Sequence, residues 1–302
     1  MKKYIFRILL FFSIVAAVDF AVDQTCEWLQ NHAKGGRMKN VRQAALNQEA
    51  EIVIMGSSRA RHHYVPSVFG FALGLSAYNA GVDGNGIVLA TGLYEMMSER
   101  YSPRIIIYDV EPAFDIIVYS EDGNNTRYLG ELRPYSTNPK VKEIICRVDP
   151  SERWKALSAM FRYNSRIIDL LKDQLVMGEY SLDGYVPLHG EMKHEPIIKT
   201  EDNRIVQDTL KLTVMEEFIK RLSQSDTRLV VVASPKYGAK SSEVFAPIKE
   251  MCSRYDVDFL DYYTATEFQQ MDYFKESMHL NNKGARAFSE ILAKRLKNDY
   301  KI

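Results

Sequence analysis

Short apolar runs that end in a turn or a polar residue are the feature that most constrains how this chain can fold. They occupy residues 51–55, 104–109 and 228–234, with weaker runs at 76–79 and 257–260. Runs of this length, bounded by turn signals, are typical of parallel strands buried on both faces. The sequence therefore predicts a core of mainly parallel strands.

Amphipathic helical patterns separate these runs, at residues 87–100, 206–224, 241–255 and 282–298. Strands that alternate with helices favour an α/β fold in which helices cover both faces of a parallel sheet. Residues 115–203 interrupt the alternation: they contain several prolines and a helical pattern at 151–175, but no convincing core strand. An insertion of this length in an α/β frame is expected to form a lid or part of the binding surface.

The N-terminus is the compositional outlier, because three basic residues precede an apolar run at 8–18; they are Lys2, Lys3 and Arg7. This pattern is typical of an export signal. We favour an uncleaved signal-anchor helix over residues 1–22, and the alternative is a secreted protein cleaved after Ala17. Because the basic residues stay on the cytoplasmic side, the body is expected to face the periplasm or the cell exterior.

The rest of the chain is predicted to form two further parts. Residues 23–48 are polar and helical, with a break at Gly35 and Gly36, and are expected to form a stalk or lead-in helix. Residues 49–302 are predicted to form the α/β domain, with its insertion at about 115–203.

The composition excludes several classes of protein. The net charge is zero, which disfavours general nucleic-acid binding because phosphate binding normally needs a basic excess. A mean hydropathy of −0.25 excludes a polytopic membrane protein. The three cysteines are widely spaced and form no CxxC pair, so free thiols are favoured over a disulfide and no metal or cofactor site is predicted; they are Cys26, Cys146 and Cys252.

Candidate chemical groups follow the strands, where open parallel sheets bind ligands. Ser58 follows Gly56 after the first run, and Gly81 lies in a glycine-rich loop after the second. Near the C-terminus, Glu276 precedes His279 by three residues, a spacing that lets a carboxylate hold an imidazole in one tautomer. In isolation, each of these signals is more often structural: Ser58 as part of a helix cap, the glycines as a turn and His279 as a helix-flanking residue.

Taken together and in this order, these motifs resemble those of the SGNH (GDSL-type) hydrolase superfamily from about residue 51 to 302, outside most of the insertion. The membrane-anchored branch that acts on cell-surface polysaccharides, including alginate-type O-acetylation proteins, is the most similar. The resemblance implies a flavodoxin-like three-layer α/β/α fold. It also implies that Ser58 is the nucleophile, His279 the base and Glu276 the acid, and that Ser58 and Gly81 supply oxyanion-hole N–H groups.

The chain departs from the family pattern in three places. Ser57 stands where the family usually has aspartate, and Glu276 replaces the usual aspartate, so Asp272 and Asp261 are alternative acids. The family's third block carries an oxyanion-hole asparagine, but the chain has none between residues 108 and 112. Either two N–H groups suffice, or Asn85 contributes.

Other polar residues near these motifs are weaker candidates. Arg59, beside the nucleophile, and Asp109, at the end of the third run, are predicted to bind substrate. For the basic cluster after Ser58, which includes Arg61, His62 and His63, a solvated helix face is the common alternative. His189 and His194 match no common metal-ligand spacing.

Two functions are compatible with these residues. The first is an extracytoplasmic serine-dependent carbohydrate O-acyl esterase or O-acetyltransferase that acts through an acyl-serine on a cell-surface polysaccharide. Its expected partners are an acylated glycan, the membrane and a membrane-bound O-acyltransferase, with no nucleic acid. The second is a catalytically impaired glycan-binding or scaffold protein on the same fold. A phospholipase-like activity has little support, since the insertion has no strongly apolar amphipathic stretch.

Overall fold

A five-stranded parallel sheet forms the centre of the molecule. The computed structural model describes residues 1–118, 125–164, 166–175, 183–196 and 206–300. The strands are β1 (Ile52–Gly56), β2 (Ala77–Asn79), β3 (Ile105–Asp109), β4 (Arg228–Ala233) and β5 (Asp258–Asp261). Their order is β2-β1-β3-β4-β5, the flavodoxin-like order, so the predicted fold class is confirmed.

Helices surround this sheet, and a small hairpin completes the fold. The helices are α1 (Lys2–His32), α2 (Arg37–Arg42), α3 (Ser58–His63), α4 (Pro66–Leu73), α5 (Ile87–Ser98), α6 (Pro112–Asp115), α7 (Pro139–Val148), α8 (Glu152–Lys155), α9 (Ala159–Tyr163), α10 (Ile167–Leu175), α11 (Thr209–Ser223), α12 (Ala246–Arg254) and α13 (Asn282–Tyr300). A π-helical turn spans Gln43–Asn47, and the antiparallel hairpin pairs β6 (Phe274–Glu276) with β7 (His279–Leu280).

The sheet separates two hydrophobic cores, because successive side chains on a strand point to opposite faces. On β1, Ile52 and Ile54 pack in the core with α4 and α13, whereas Val53 and Met55 pack in the core with α5, α11 and α12. The apolar runs are therefore continuous rather than alternating because both faces of the sheet are covered.

The predicted helix at 151–175 is wrong as a single element. The structure has three short helices there, α8, α9 and α10. Asp19 of α1 accepts hydrogen bonds from the Ser158 hydroxyl and from the backbone N–H groups of Ala159 and Met160. These bonds satisfy backbone N–H groups in the first turn of α9. They make residue 158 a helix boundary that local periodicity does not reveal.

Helix α1 runs from the predicted anchor into the predicted lead-in and ends at His32, and the boundary between these two parts stays a prediction. The predicted break at 35–36 is present: Gly36 has φ +88°, and a Cβ there would lie 1.8 Å from Asp173 Oδ1. Within α1, an 18-residue window has a mean hydropathy of 2.3, and none of it is buried. This helix is long and apolar enough for a membrane anchor, a property that N-terminal signal sequences share. All three cysteines are free.

Candidate active site

The turn from β1 into α3 presents Ser58 at the carboxyl edge of the sheet. Gly56 has φ +138°, and a Cβ there would lie 2.5 Å from the carbonyl oxygen of Asp109 on the neighbouring strand, so only glycine fits. Ser57 caps α3, since its hydroxyl accepts from the N–H of Arg59 at 3.3 Å. Ser58 is the first residue of α3, so its own N–H has no acceptor within that helix.

Ser58, His279 and Glu276 lie together in one line of hydrogen bonds, which we call the surface triad. The Ser58 hydroxyl is 2.7 Å from His279 Nε2, and His279 Nδ1 donates to Glu276 Oε1. The β6–β7 hairpin pairs Glu276 with His279 across its two strands, which fixes their relative positions. Because Glu276 can only accept in its ionised form, Nδ1 carries the proton and Nε2 is free to accept from the hydroxyl.

The local environment keeps Glu276 ionised. Burial raises the pKa of its carboxyl, but hydrogen bonds from His279 and from the Met278 N–H, at 2.8 Å, outweigh burial and lower it overall. The two alternative acids bind lysines instead: Asp272 pairs with Lys283 at 2.5 Å and Asp261 with Lys249 at 2.6 Å. Among the candidate acids, it is therefore Glu276 that contacts His279.

A second set of polar side chains lies beneath the surface triad, and we call it the buried network. Its members are Arg59, His63, Asp109, Glu111 and Ser234. Arg59 is 1% exposed, and its guanidinium contacts Glu111 at 3.1 Å and the Ser234 hydroxyl at 2.9 Å. Asp109 is fully buried and accepts from the Ser234 hydroxyl at 3.1 Å and from the Ser234 N–H at 3.0 Å.

This burial corrects two predictions. Arg59 and Asp109 have no exposed surface with which to bind a substrate, because their charges face protein groups. The predicted solvated helix face is also wrong, since Arg61, His62 and His63 are all at most 8% exposed. Burial raises the pKa of Asp109 to about 6, with Arg59 and the hydrogen bonds of Tyr64 and Ser234 opposing it.

His63 joins the buried network to the surface triad. Its Nε2 accepts from the N–H of Leu280 at 3.0 Å, directly after the catalytic candidate His279. Its Nδ1 is 2.9 Å from the Ser234 hydroxyl and must donate there, since Nε2 is the acceptor. Burial, with the nearby Arg59 and His279, holds the pKa of His63 well below its usual range, so the ring stays neutral. The position of the β7 backbone thus depends on a neutral histidine.

The two other oxyanion candidates are engaged in local bonds. The Gly81 N–H donates to Asn79 Oδ1 at 3.0 Å, and Asn85 Nδ2 donates to the carbonyl of Asp83 at 3.1 Å. Asn79 in turn donates to the carbonyls of Ala60 and Tyr64 at the end of α3, at 2.7 and 2.9 Å. Gly81 packs against α3, since a Cβ there would lie 2.5 Å from the Arg61 nitrogen. Its evident role is to let this loop approach the helix.

The loop after β3, which has no asparagine between residues 108 and 112, is ordered by Asp115. Its carboxylate accepts from the Tyr108 hydroxyl at 2.6 Å and from the N–H groups of Ile87 and Glu111, both at 2.7 Å. Burial raises the pKa of Asp115 to about 7, although the hydrogen bonds from these donors lower it. The carboxylate therefore ties the end of β3 to the start of α5.

The end of the insertion lies beside the surface triad. The Val186 N–H donates to the Arg61 carbonyl at 3.3 Å, and the Asn282 N–H donates to the Leu188 carbonyl at 2.8 Å. An open groove of about 610 Å³ is lined there by residues 188–193 and 281–283. The expectation that the insertion contributes to a binding surface remains a prediction, but this stretch borders the hairpin that carries His279. In the described part of the chain, no group of three or more His, Cys, Asp or Glu side chains is suited to a metal.

Sequence reasoning missed Ser234, Glu111 and Asn79 as site residues. Ser234 and Asn79 stand at or directly after the carboxyl ends of β4 and β2, so the rule that located Ser58 also applied to them. Asn79 begins the Asn-Ala-Gly stretch that contains Gly81, but the sequence does not reveal which groups its side chain or that of Ser234 reaches in the fold.

Comparison with known proteins adds little at this point. No protein-family model matches the chain, and no curated protein matches it. Among solved structures, the chain is similar to a "putative platelet activating factor from Streptococcus pneumonia". The TM-score is 0.45 and the identity 13%, over 92% of this chain and 98% of that chain. Similarity this distant carries no argument about activity, which has to rest on the geometry of the site.

Proposed function

We propose that the protein is an extracytoplasmic serine-dependent carbohydrate O-acyl esterase or O-acetyltransferase. The observation that carries this proposal is the hydrogen-bonded line from Ser58 through His279 to Glu276. A hydroxyl, an imidazole and a carboxylate in this order form the arrangement that activates serine in acyl transfer.

In the proposed reaction, His279 Nε2 takes the Ser58 proton as Ser58 Oγ attacks the acyl carbonyl. The Ser58 N–H is available to the resulting oxyanion, because no acceptor within α3 occupies it. When the tetrahedral intermediate collapses, the sugar oxygen leaves with the proton from His279, and an acyl-serine remains. Water or a second sugar hydroxyl then attacks this ester while His279 removes its proton. The bond from the acyl carbon to Ser58 Oγ breaks, Oγ regains its proton from His279, and the free acid or the new sugar ester is released.

The choice of a polysaccharide is supported by the open groove beside the hairpin and by the basic N-terminal tip. Asn282 and Lys283 line the groove together with Leu188 and Met192, and this mixed polar and apolar lining suits a sugar polymer better than an acyl chain. Lys2 and Lys3, at the start of α1, favour a body outside the cytoplasm, where such polymers occur. A membrane-bound O-acyltransferase that supplies the acyl group is the partner that this role would need.

The first test is hydrolysis of p-nitrophenyl acetate by the full chain in detergent. Ser58→Ala should lower kcat/KM by about 10³-fold or more. Ser223→Ala is the matched control, since this serine ends α11 away from the surface triad and should leave turnover unchanged. Equal turnover of Ser58→Ala and the parent protein would refute the proposal.

A scaffold protein that binds glycans without turnover is the second candidate. The engaged amides of Gly81 and Asn85 favour it, since losing an oxyanion donor costs about 10²–10³ in rate. A fluorophosphonate separates the two. Labelling that requires both Ser58 and His279 supports the enzyme, and saturable polysaccharide binding without labelling supports the scaffold.

Esterase and transferase differ in the acceptor of the acyl group. With an acetylated donor and an oligosaccharide, a transferase forms acetylated oligosaccharide faster than free acetate, and an esterase releases acetate alone. Mass spectrometry of both products distinguishes them.

A further inference from the structure

The insertion carries exposed apolar side chains near the point where the apolar segment of α1 ends, at Asp19. Trp154 is 71% exposed, Leu157 67% and Met160 51%. We call these three residues the apolar patch. Trp154 and Leu157 are adjacent in space, since the Leu157 N–H donates to the Trp154 carbonyl at 3.1 Å.

Hydrogen bonds fix the height of the apolar patch along α1. Asp19 accepts from the Ser158 hydroxyl at 2.7 Å and from the Met160 N–H at 3.1 Å. Met160 makes one of these contacts and Leu157 directly precedes Ser158, which makes the other, so the apolar patch lies level with Asp19. This is the polar residue that closes the apolar part of the helix.

Further contacts give the direction in which the insertion runs. Beyond Asp19, Arg162 pairs with Asp23 at 2.5 Å, and Gln174 donates to the Leu29 carbonyl at 2.8 Å. Later residues of the insertion therefore meet later residues of α1. Trp154 and Leu157 come before Ser158 in the chain. We therefore infer that they lie on the side of Asp19 that faces the apolar segment of α1.

We propose that the apolar patch docks into the lipid surface of the membrane that α1 enters. This inference goes beyond the proposed activity and needs only that α1 stays in the bilayer. The patch would hold the domain in a fixed orientation beside the membrane, with Trp154 at the level of the headgroups.

The residues in and beside the apolar patch suit contact with a lipid surface. Tryptophan is enriched at membrane interfaces because its large apolar ring carries one polar N–H. Arg153, next to it in the chain, is exposed and can reach lipid phosphates. Since the membrane-facing part of α1 is itself unburied, the apolar surface of the patch continues that of the helix. A single bilayer could cover both.

The chain offers its own matched reporter. It has two tryptophans, and Trp28, 56% exposed, lies nine residues beyond Asp19, about 14 Å further along the axis at ~1.5 Å per residue. The full chain is reconstituted in nanodiscs with and without lipids brominated near the headgroup end of the acyl chain. Trp28→Phe isolates the fluorescence of Trp154, and Trp154→Phe isolates that of Trp28.

Quenching of Trp154 at least twice that of Trp28 is the expected result, and Leu157→Asp should reduce it. Ile291→Asp, at an exposed position on the outer face of α13, is the control for an added charge and should change nothing. Equal quenching of both tryptophans overturns the proposal, as does failure of the chain to enter nanodiscs. Shielding of Trp154 by dimerisation in detergent would assign the patch to a second copy and also overturns it. None of these readouts depends on esterase activity, so the two proposals fail separately.

Discussion

The surface triad and the buried network meet at the turn from β1 into α3, yet they differ in their exposure to water and in what their charges contact. Ser58, His279 and Glu276 are partly exposed, and the Glu276 side chain is 50% accessible. Arg59, the next residue in the chain after Ser58, and Asp109, on the strand beside β1, have almost no access to water. The comparison teaches that neighbouring charges can have separate tasks. The exposed ones can exchange protons with a ligand, and the buried ones can only hold the backbone in place.

This division predicts that changes in the surface triad affect turnover, whereas changes in the buried network affect stability first. The largest expected effect is on turnover. Glu276→Gln should lower kcat/KM for an activated ester by about 10²–10⁴, because His279 loses the carboxylate that orients it. The melting temperature should stay near that of the parent, since the residue is half exposed.

Asp272→Asn is the matched control for that variant. It removes a carboxylate four residues away that pairs with Lys283 rather than His279, and the loss of an exposed ion pair should leave stability almost unchanged. If Asp272→Asn lowers turnover as much as Glu276→Gln does, Glu276 is not the acid of the triad.

Arg59→Leu should have the largest effect on stability. It leaves Glu111 and Asp109 buried without their cation, a change that costs about 3–5 kcal/mol in comparable buried pairs. Urea unfolding measures it. Arg295→Leu, which breaks the exposed pair with Asp299, should cost about 1 kcal/mol or less. Equal costs for the two variants would remove the distinction between surface and buried charges.

Gly81→Ala tests whether the glycine loop serves packing. Its Cβ would lie 2.5 Å from the Arg61 nitrogen and 2.9 Å from Ala60 Cβ, so α3 must shift, at a cost of about 1–3 kcal/mol. Gly70→Ala on α4 is the control, because its nearest neighbour is at 3.3 Å. A fully stable Gly81→Ala protein would contradict the close approach of the loop to the helix.

His63→Gln should have the smallest effect, and it concerns pH. Because the pKa of His63 is lowered in the folded protein, the unfolded chain binds more protons below about pH 6.5. Stability from this residue is therefore present above that pH and lost as the pH falls. The difference in unfolding free energy between parent and variant should shrink between pH 7 and 5, by at most about 1.4 kcal/mol per pH unit. Parallel curves for the two proteins would show that His63 takes up a proton in both states.

Much of the fold could be predicted because its signals are local. The runs at 51–55, 104–109 and 228–234 predict strands because they are continuously apolar, a pattern typical of sheets whose two faces are both buried. The helix at 151–175 could not be divided correctly. Its boundary at Ser158 comes from Asp19, far away in the sequence, and no local pattern reports a hydrogen bond over that distance.

The candidate site divides in the same way. Ser58, Glu276 and His279 could be proposed from the sequence because each sits in a short motif and the order of the motifs is informative. The roles of Arg59 and Asp109 could not be proposed correctly, because a charged residue beside a nucleophile looks the same in sequence whether it faces water or protein. Burial is decided by the elements that pack over it, here the ends of β3 and β4 and the loop after them.

The sequence by itself determined the parallel sheet, the apolar N-terminal helix and the three residues that could form a serine relay. These depend on periodicity, composition and short spacings between residues, which are local properties of the sequence. Only the tertiary structure decided that Glu276 rather than Asp272 meets His279 and that Arg59 is buried. It also placed the insertion along α1 at Asp19. Each of these depends on which distant backbone segments come within hydrogen-bond reach, a property of the folded molecule as a whole.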